Sequence, residues 1–174
     1  MKREIWDVFD CDGNLTGKTV VRGKFFLKPD EYHLVVHIWV TTSDGRILIQ
    51  RRSDKKKLMP GEWAATGGAA ISGESSFEAA SRELFEELSI PSNEENLKHI
   101  LRLLRRNTIL DIWAITCDIP PQNLKLQKNE VAEVCLVTVE EFKNMIKEGN
   151  FHNYGTEYFE KVISLITAQK GATV

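Results

Sequence analysis

The stretch that leaves this chain the least freedom is 67–90, GGAAISGESSFEAASRELFEELSI, which sets Glu74, Glu78, Glu83, Glu86 and Glu87 against a single basic residue, Arg82. It opens on a glycine-rich loop. Ser75 is a good helix N-cap and Glu78, three residues on, completes a capping box, so a helix is expected to start near Ser76. At about 100° per residue, Phe77, Ala80, Leu84 and Leu88 share one side of that helix and are expected to pack on a core. Glu83, Glu86 and Glu87 cluster within roughly 100° on the other side. Such clustering destabilises a helix by roughly 0.2–0.5 kcal/mol per like-charged pair, and one arginine cannot neutralise three carboxylates. Two readings stand: a solvated acidic face, or a site whose missing countercharge is a divalent cation. Hard oxygen ligands of this kind suit Mg²⁺ or Mn²⁺, held jointly with substrate phosphates.

The rest of the chain supplies a sheet for this helix to pack on. Residues 4–9 and 19–27 read as a strand pair joined by the turn-rich DCDGNLTG, with Asp12-Gly13 the strongest turn signal. HLVVHIWVTT (33–42) is almost continuously apolar and β-prone, as a buried central strand should be. Ser43-Asp44-Gly45 turns it into RILIQRR (46–52), making a hairpin. A basic loop, SDKKKLMPGEW, and then WAATGG lead into the acidic stretch. Beyond it, Pro91 stops the helix, and 99–105, 109–119 and 131–137 look like further strands. Thr138 and Glu141 form a second capping box, for a helix to about Lys147. An amphipathic helix is expected over about 156–169, with Phe159, Ile163 and Ile166 on one face. This order predicts an α/β chain with a mixed β-sheet packed between helices, most simply as one domain spanning 1–174.

Charge and composition narrow the partners. A formal charge of −2 and a pI near 6.1 argue against nucleic acid or an anionic membrane. The N-terminus MKREIWDVFD is too charged for a signal peptide, and no apolar run reaches membrane-spanning length. Cys11, Cys117 and Cys135 lack zinc spacing and read as reduced thiols, so a cytoplasmic location is expected.

The spacing of Gly68, Glu74 and Arg82-Glu83-Leu84-Phe85-Glu86-Glu87-Leu88-Ser89-Ile90 closely resembles the Nudix box, here 68–90. The resemblance implies an α/β/α sandwich and hydrolysis of a diphosphate linked to another moiety. It also implies a cation that neutralises phosphate charge and lowers the pKa of bound water. By position in the motif, Glu83, Glu86 and Glu87 resemble the family's metal ligands, and the Gly68 carbonyl is a further candidate. Arg82 matches an arginine that orients a glutamate through charge-assisted hydrogen bonds. Glu74 reads as structural as much as catalytic. The catalytic base is a glutamate of the box, such as Glu86 or Glu87, or one from a loop elsewhere, with Glu130 and Glu133 the candidates. One position departs from the pattern: Ser89 stands where the family usually has glycine, at a helix end where a left-handed turn is cheapest for glycine.

A second resemblance, carried by EYHLVVHIWV and GRILIQRRSDKKKLMPGEW, is to the type 1 isopentenyl-diphosphate isomerase branch of the same superfamily. It places Arg52 and Lys56 where those isomerases hold the substrate diphosphate, and His33 where they have a metal-binding histidine. Isomerisation also needs a protonating cysteine and a second metal-binding histidine, and those positions here are Gly68 and Ala70. His33 and His37 share one strand face and are expected to be core histidines. Arg102, Arg105 and Arg106 form a weaker basic cluster. The expectation is therefore a Mg²⁺- or Mn²⁺-dependent hydrolase of a small-molecule diphosphate, nucleoside-diphosphate-like or other, with homodimer formation left open. The alternatives are an isomerase homologue and a non-catalytic diphosphate-binding module.

Overall fold

The computed structural model describes residues 4–23 and 27–168. The acidic helix forms as its caps dictate: α1 spans Ser76–Leu88, with the Ser75 hydroxyl accepting from the Glu78 N–H and the Glu78 carboxylate accepting from the Ser75 N–H. Its buried side is Ala79, Ala80, Leu84, Leu88 and also Glu87, while Phe77 is only partly covered, against Trp113.

Among the described residues nine strands accompany it. The N-terminal hairpin pairs β1 (Ile5–Phe9) with β2 (Leu15–Val21). Its second strand begins four residues earlier than the spacing predicted. The Asp10 carboxylate folds the turn tightly by accepting from the backbone of Asp12 and Asn14. β2 also ends at Val21 rather than near 27: Arg22 and Gly23 form a turn and Leu27 belongs to no strand, while residues 24–26 lie outside the described residues. β3 (His33–Thr41) is the central strand. It pairs in parallel with β8 (Thr108–Thr116) along its whole length, and β8 pairs with β7 (Lys98–Arg105).

On the other edge of β3 the partner changes. β4 (Ile47–Arg52) pairs with it only at Val40 and Thr41, whereas β6 (Thr66–Ala69) pairs with residues 35–38. So the hairpin expected from Ser43-Asp44-Gly45 exists, but its strands separate after one turn. β4 goes on to pair with β5 (Trp63–Ala64) and with β9 (Val131–Val137). This splitting of the sheet opens the main cavity.

Alternation along β3 assigns the two faces. Leu34, Val36, Ile38 and Val40 join Ala79, Ala80, Leu84 and Leu88 of α1 in one core. Trp39 points the other way, into a second core with α2 (Val139–Lys147) and α3 (Thr156–Ala168). Residue 169, where the last helix was expected to end, lies outside the described residues. The result is an α/β/α sandwich around a mixed sheet. Among the described residues no helix is long and apolar enough to cross a membrane.

The hairpin is tied to the loop that precedes α1. Asp7 accepts from the Ser72 hydroxyl (2.7 Å) and the Gly73 N–H (2.8 Å), and the Ser72 N–H donates to the Ile5 carbonyl.

Candidate functional site

Three glutamates of α1, Glu83, Glu86 and Glu87, line a cavity of about 700 Å³. Their environments differ. Glu86 sits at the rim with its side chain 48% exposed, Glu83 is at 15%, and Glu87 is buried at 3%. Burial pushes the Glu87 carboxyl up to about 8, with the Glu83 charge adding to the effect. The same loss of solvation raises Glu83, although Arg82 opposes it. Glu87 is held by a chain that fixes every donor: the Thr66 hydroxyl donates to Gln50 Oε1, Gln50 Nε2 donates to Glu87 Oε2, and so does the Gly67 N–H. Gln50 stood unnoticed in RILIQRR. A polar residue on an inward strand position was the one signal available.

Arg82 is the hub of the remaining carboxylates. Its guanidinium grips Glu74 with two bonds, 2.6 and 2.9 Å, reaches Glu83 at 2.7 Å and Glu86 at 3.4 Å, and donates to the Ala69 carbonyl. Glu74 also accepts from the Ile71 N–H and does not line the cavity; it reaches the site through Arg82. Gly68 faces Glu83 closely enough that a Cβ there would stand 2.4 Å from Oε1; any side chain would displace the carboxylate. Among the described residues no three acidic, histidine or cysteine side chains are already gathered in metal-ligating geometry. The donor set nevertheless fits a hard divalent cation. It offers carboxylate oxygens in excess of their countercharge and a glycine that gives its neighbours close access.

The same cavity also takes cationic side chains. Of the basic run 51–57, only Arg52 and Lys56 reach the cavity. Arg51 turns outward to Glu133 and Asp54, and Lys55 and Lys57 are exposed. Arg52 donates through Nε to the Leu58 carbonyl, and among the described residues the rest of its fork makes no hydrogen bond. Lys56 pairs with Glu130. The two base candidates are thereby separated: Glu130 lines the cavity, while Glu133 sits at 54% exposure away from it. Arg102, Arg105 and Arg106 do not form a phosphate cluster. Arg102 is engaged by buried Asp111 at 2.6 and 2.7 Å, Arg105 donates to the Tyr154 carbonyl, and Arg106 is exposed.

Both histidines line the same cavity, as one strand face requires. His33 stacks on Trp6 with ring centroids 4.5 Å apart, and burial lowers it to about 4. His37 bonds to the Tyr158 hydroxyl at 2.8 Å. Sequence reasoning missed Tyr154, Gln127 and the hairpin residues Glu4, Trp6 and Arg22, which also line the site. None belongs to a motif, and only the tertiary fold brings them there. Cys11, Cys117 and Cys135 lie elsewhere.

Ser89 adopts the left-handed conformation, φ 55°, that the usual glycine would take. Its hydroxyl donates to the Lys125 carbonyl at 3.0 Å, and the Gln127 N–H donates to the Glu87 carbonyl. The helix end thus anchors the loop that carries Glu130.

Comparison with known proteins agrees with this geometry. A NUDIX domain family model matches residues 31–158. The chain is 38% identical over 152 residues to the uncharacterized Nudix hydrolase lmo0368 of Listeria monocytogenes, covering 87% of this chain and 89% of that protein. In fold it is similar to the crystal structure of DR0079 from Deinococcus radiodurans, with a TM-score of 0.74 at 21% identity over 95% of this chain and 98% of that one. It is also similar to the Nudix domain of Shewanella oneidensis NrtR, solved with ADP ribose, with a TM-score of 0.60 at 14% identity over 76% and 87% of the two chains. The chain therefore belongs to the Nudix family and is a Nudix hydrolase, acting on phosphorus-containing acid anhydrides.

Proposed function

We propose that the protein cleaves the diphosphate bond of a small molecule in a reaction that depends on Mg²⁺ or Mn²⁺. The observation that carries this is the meeting of two charge sets in one cavity: Glu83, Glu86 and Glu87 on α1, and Arg52 and Lys56 from the end of β4 and the loop after it. Glu83, Glu86, Glu87 and the Gly68 carbonyl would hold the cation. When bound, it neutralises phosphate charge and makes an attacking water more acidic. Arg82 keeps Glu83 and Glu86 oriented through its grip on Glu74. Arg52 supplies a fork and Lys56 a point charge for phosphate oxygens. Glu130 faces the same space and is our candidate to take the proton of the attacking water. The N-terminal hairpin belongs to the same working domain, because Glu4, Ile5, Trp6 and Arg22 line the cavity.

The test is a Mg²⁺-dependent phosphate-release screen over nucleoside diphosphate derivatives, including ADP-ribose, and prenyl diphosphates. Glu86→Gln and Glu87→Gln are each expected to lower the rate by orders of magnitude without lowering the melting temperature by more than a few degrees, since each keeps the shape of the side chain and removes a carboxylate that can ligate a cation. Normal turnover by both variants would show that the metal site is misassigned. An isomerase homologue is disfavoured because no cysteine lines the cavity. Incubation with isopentenyl diphosphate in deuterated water is expected to yield no labelled dimethylallyl diphosphate.

A further inference from the structure

At the inner side of the cavity one polar chain has no place in the reading above. Trp39 Nε1 lies 3.0 Å from the Tyr158 hydroxyl, and that hydroxyl lies 2.8 Å from His37 Nδ1. An indole N–H only donates, so Tyr158 accepts from Trp39. Its own hydrogen, in a fully buried side chain with no other acceptor among the described residues, goes to His37 Nδ1. Nδ1 is therefore an acceptor, and the imidazole carries its hydrogen on Nε2. Nε2 points away from Tyr158. No hydrogen bond to it is made among the described residues, it is not among the sealed and unsatisfied polar atoms, and His37 lines the cavity. Tyr154 and Tyr158, with ring centroids 4.7 and 5.7 Å away and 5.0 Å from each other, pack together against one side of the ring, and the Tyr158 bond sets its orientation.

We propose that His37 is a substrate-binding residue: a neutral Nε2–H donor, locked in its tautomer by Trp39 and Tyr158, that holds an oxygen of the substrate's diphosphate. The assignment rests on the diphosphate reading of the site. The surroundings favour an anionic acceptor, since Arg52 and Tyr154 line the same part of the cavity. Neutrality has a physical use. His37 is opposite Gly67 in the β3–β6 register, and the Gly67 N–H holds Glu87, so the imidazole stands one strand away from the acidic helix. A cationic donor there would repel a cation held by those carboxylates, whereas an N–H dipole binds phosphate oxygen without that cost. Burial, with Arg105, His152 and Arg52 nearby, lowers the imidazole to about 3, which keeps it uncharged at neutral pH.

Two substitutions separate the donor from its support. His37→Asn keeps an acceptor near the Nδ1 position for Tyr158 but removes the Nε2 donor. His37→Gln restores an N–H near Nε2 and loses the acceptor. With inorganic pyrophosphate and Mg²⁺ as the probe, His37→Asn should raise the dissociation constant about tenfold to hundredfold, and His37→Gln should stay within about threefold of the wild type. A purely structural histidine predicts the reverse order, with the Gln variant the worse of the two, and that order would overturn the assignment. Imidazole ¹⁵N shifts of the wild-type protein supply a readout independent of variant folding. The protonated Nε2 resonance should move on adding pyrophosphate while Nδ1 stays acceptor-like, and an unmoved Nε2 refutes the contact. If the wild type fails to bind pyrophosphate at all, the diphosphate reading falls and this one with it. Normal binding by both the wild type and His37→Asn removes only the role of His37.

Discussion

Arg82 makes contacts that no other cation could make together. A lysine there would keep the charge but not the planar fork that meets both oxygens of Glu74. Arg82→Lys is therefore expected to lower activity at least tenfold while the charge balance is unchanged, because Glu83 and Glu86 lose their common anchor. Comparing kcat for the two proteins checks this; an unaltered kcat would mean the carboxylates orient themselves. Arg52 offers a different test, since it must work through contact rather than through field. A charge-assisted bond to phosphate is worth about 1.5–3 kcal/mol, so Arg52→Ala should reduce kcat/KM about tenfold to hundredfold. The deficit should persist at high ionic strength. A deficit that vanishes with salt would make the residue a steering charge only.

At the scale of one element, α1 divides its residues between packing and chemistry. Leu84 is fully buried in the core with β3, so Leu84→Ala should cost about 2–5 kcal/mol in chemical denaturation. Phe77 is only partly covered, and its replacement by Ala should cost less than that of Leu84, although the helical wheel puts the two on one side. The C-terminus of α1 poses a finer balance. Ser89→Gly would relieve a left-handed backbone strain of about 1 kcal/mol but delete a hydrogen bond worth about 0.5–1.5 kcal/mol. Global stability should hardly change. The amide of Gln127, bonded to the Glu87 carbonyl, should nonetheless exchange faster, because one of the two ties of its loop is gone. Unchanged protection would show that the serine tie is dispensable.

For the molecule as a whole, the buried histidine sets part of the pH dependence of stability. The His37 imidazole titrates near 3 in the folded protein, against about 6.5 when exposed. Between those values the unfolded chain binds a proton that the native state refuses. His37 therefore leaves stability intact above about pH 6.5 and erodes it as pH falls toward 3. His37→Gln should flatten the slope of unfolding free energy against pH in that window by up to about 1.4 kcal/mol per pH unit, even if its stability at pH 7 is lower from losing the Tyr158 bond. Equal slopes for the two proteins would mean that His37 is already protonated in the folded state.

The helix, its caps and its acidic ladder were legible in the sequence because each depends on residues within four positions of one another. Ser75 with Glu78, and Glu83 with Glu86 and Glu87, are local facts of a 3.6-residue period. The choice of Arg52 and Lys56 from a longer basic run came from resemblance, and the structure brings those two to the cavity while Arg51, Lys55 and Lys57 turn elsewhere. The short strands β5 and β6 escaped notice, since two and four residues carry no periodicity to read. So did the separation of β4 from β3, in which β4 and β6 compete for one edge of β3 and β4 turns to β5 and β9 instead. The assembled fold then sets Gln50 against Glu87, Tyr158 against His37 and the N-terminal hairpin against the loop before α1. Each is a contact across dozens of residues, decided by which strand edges pair and how the two cores fill. A local pattern holds no record of that competition.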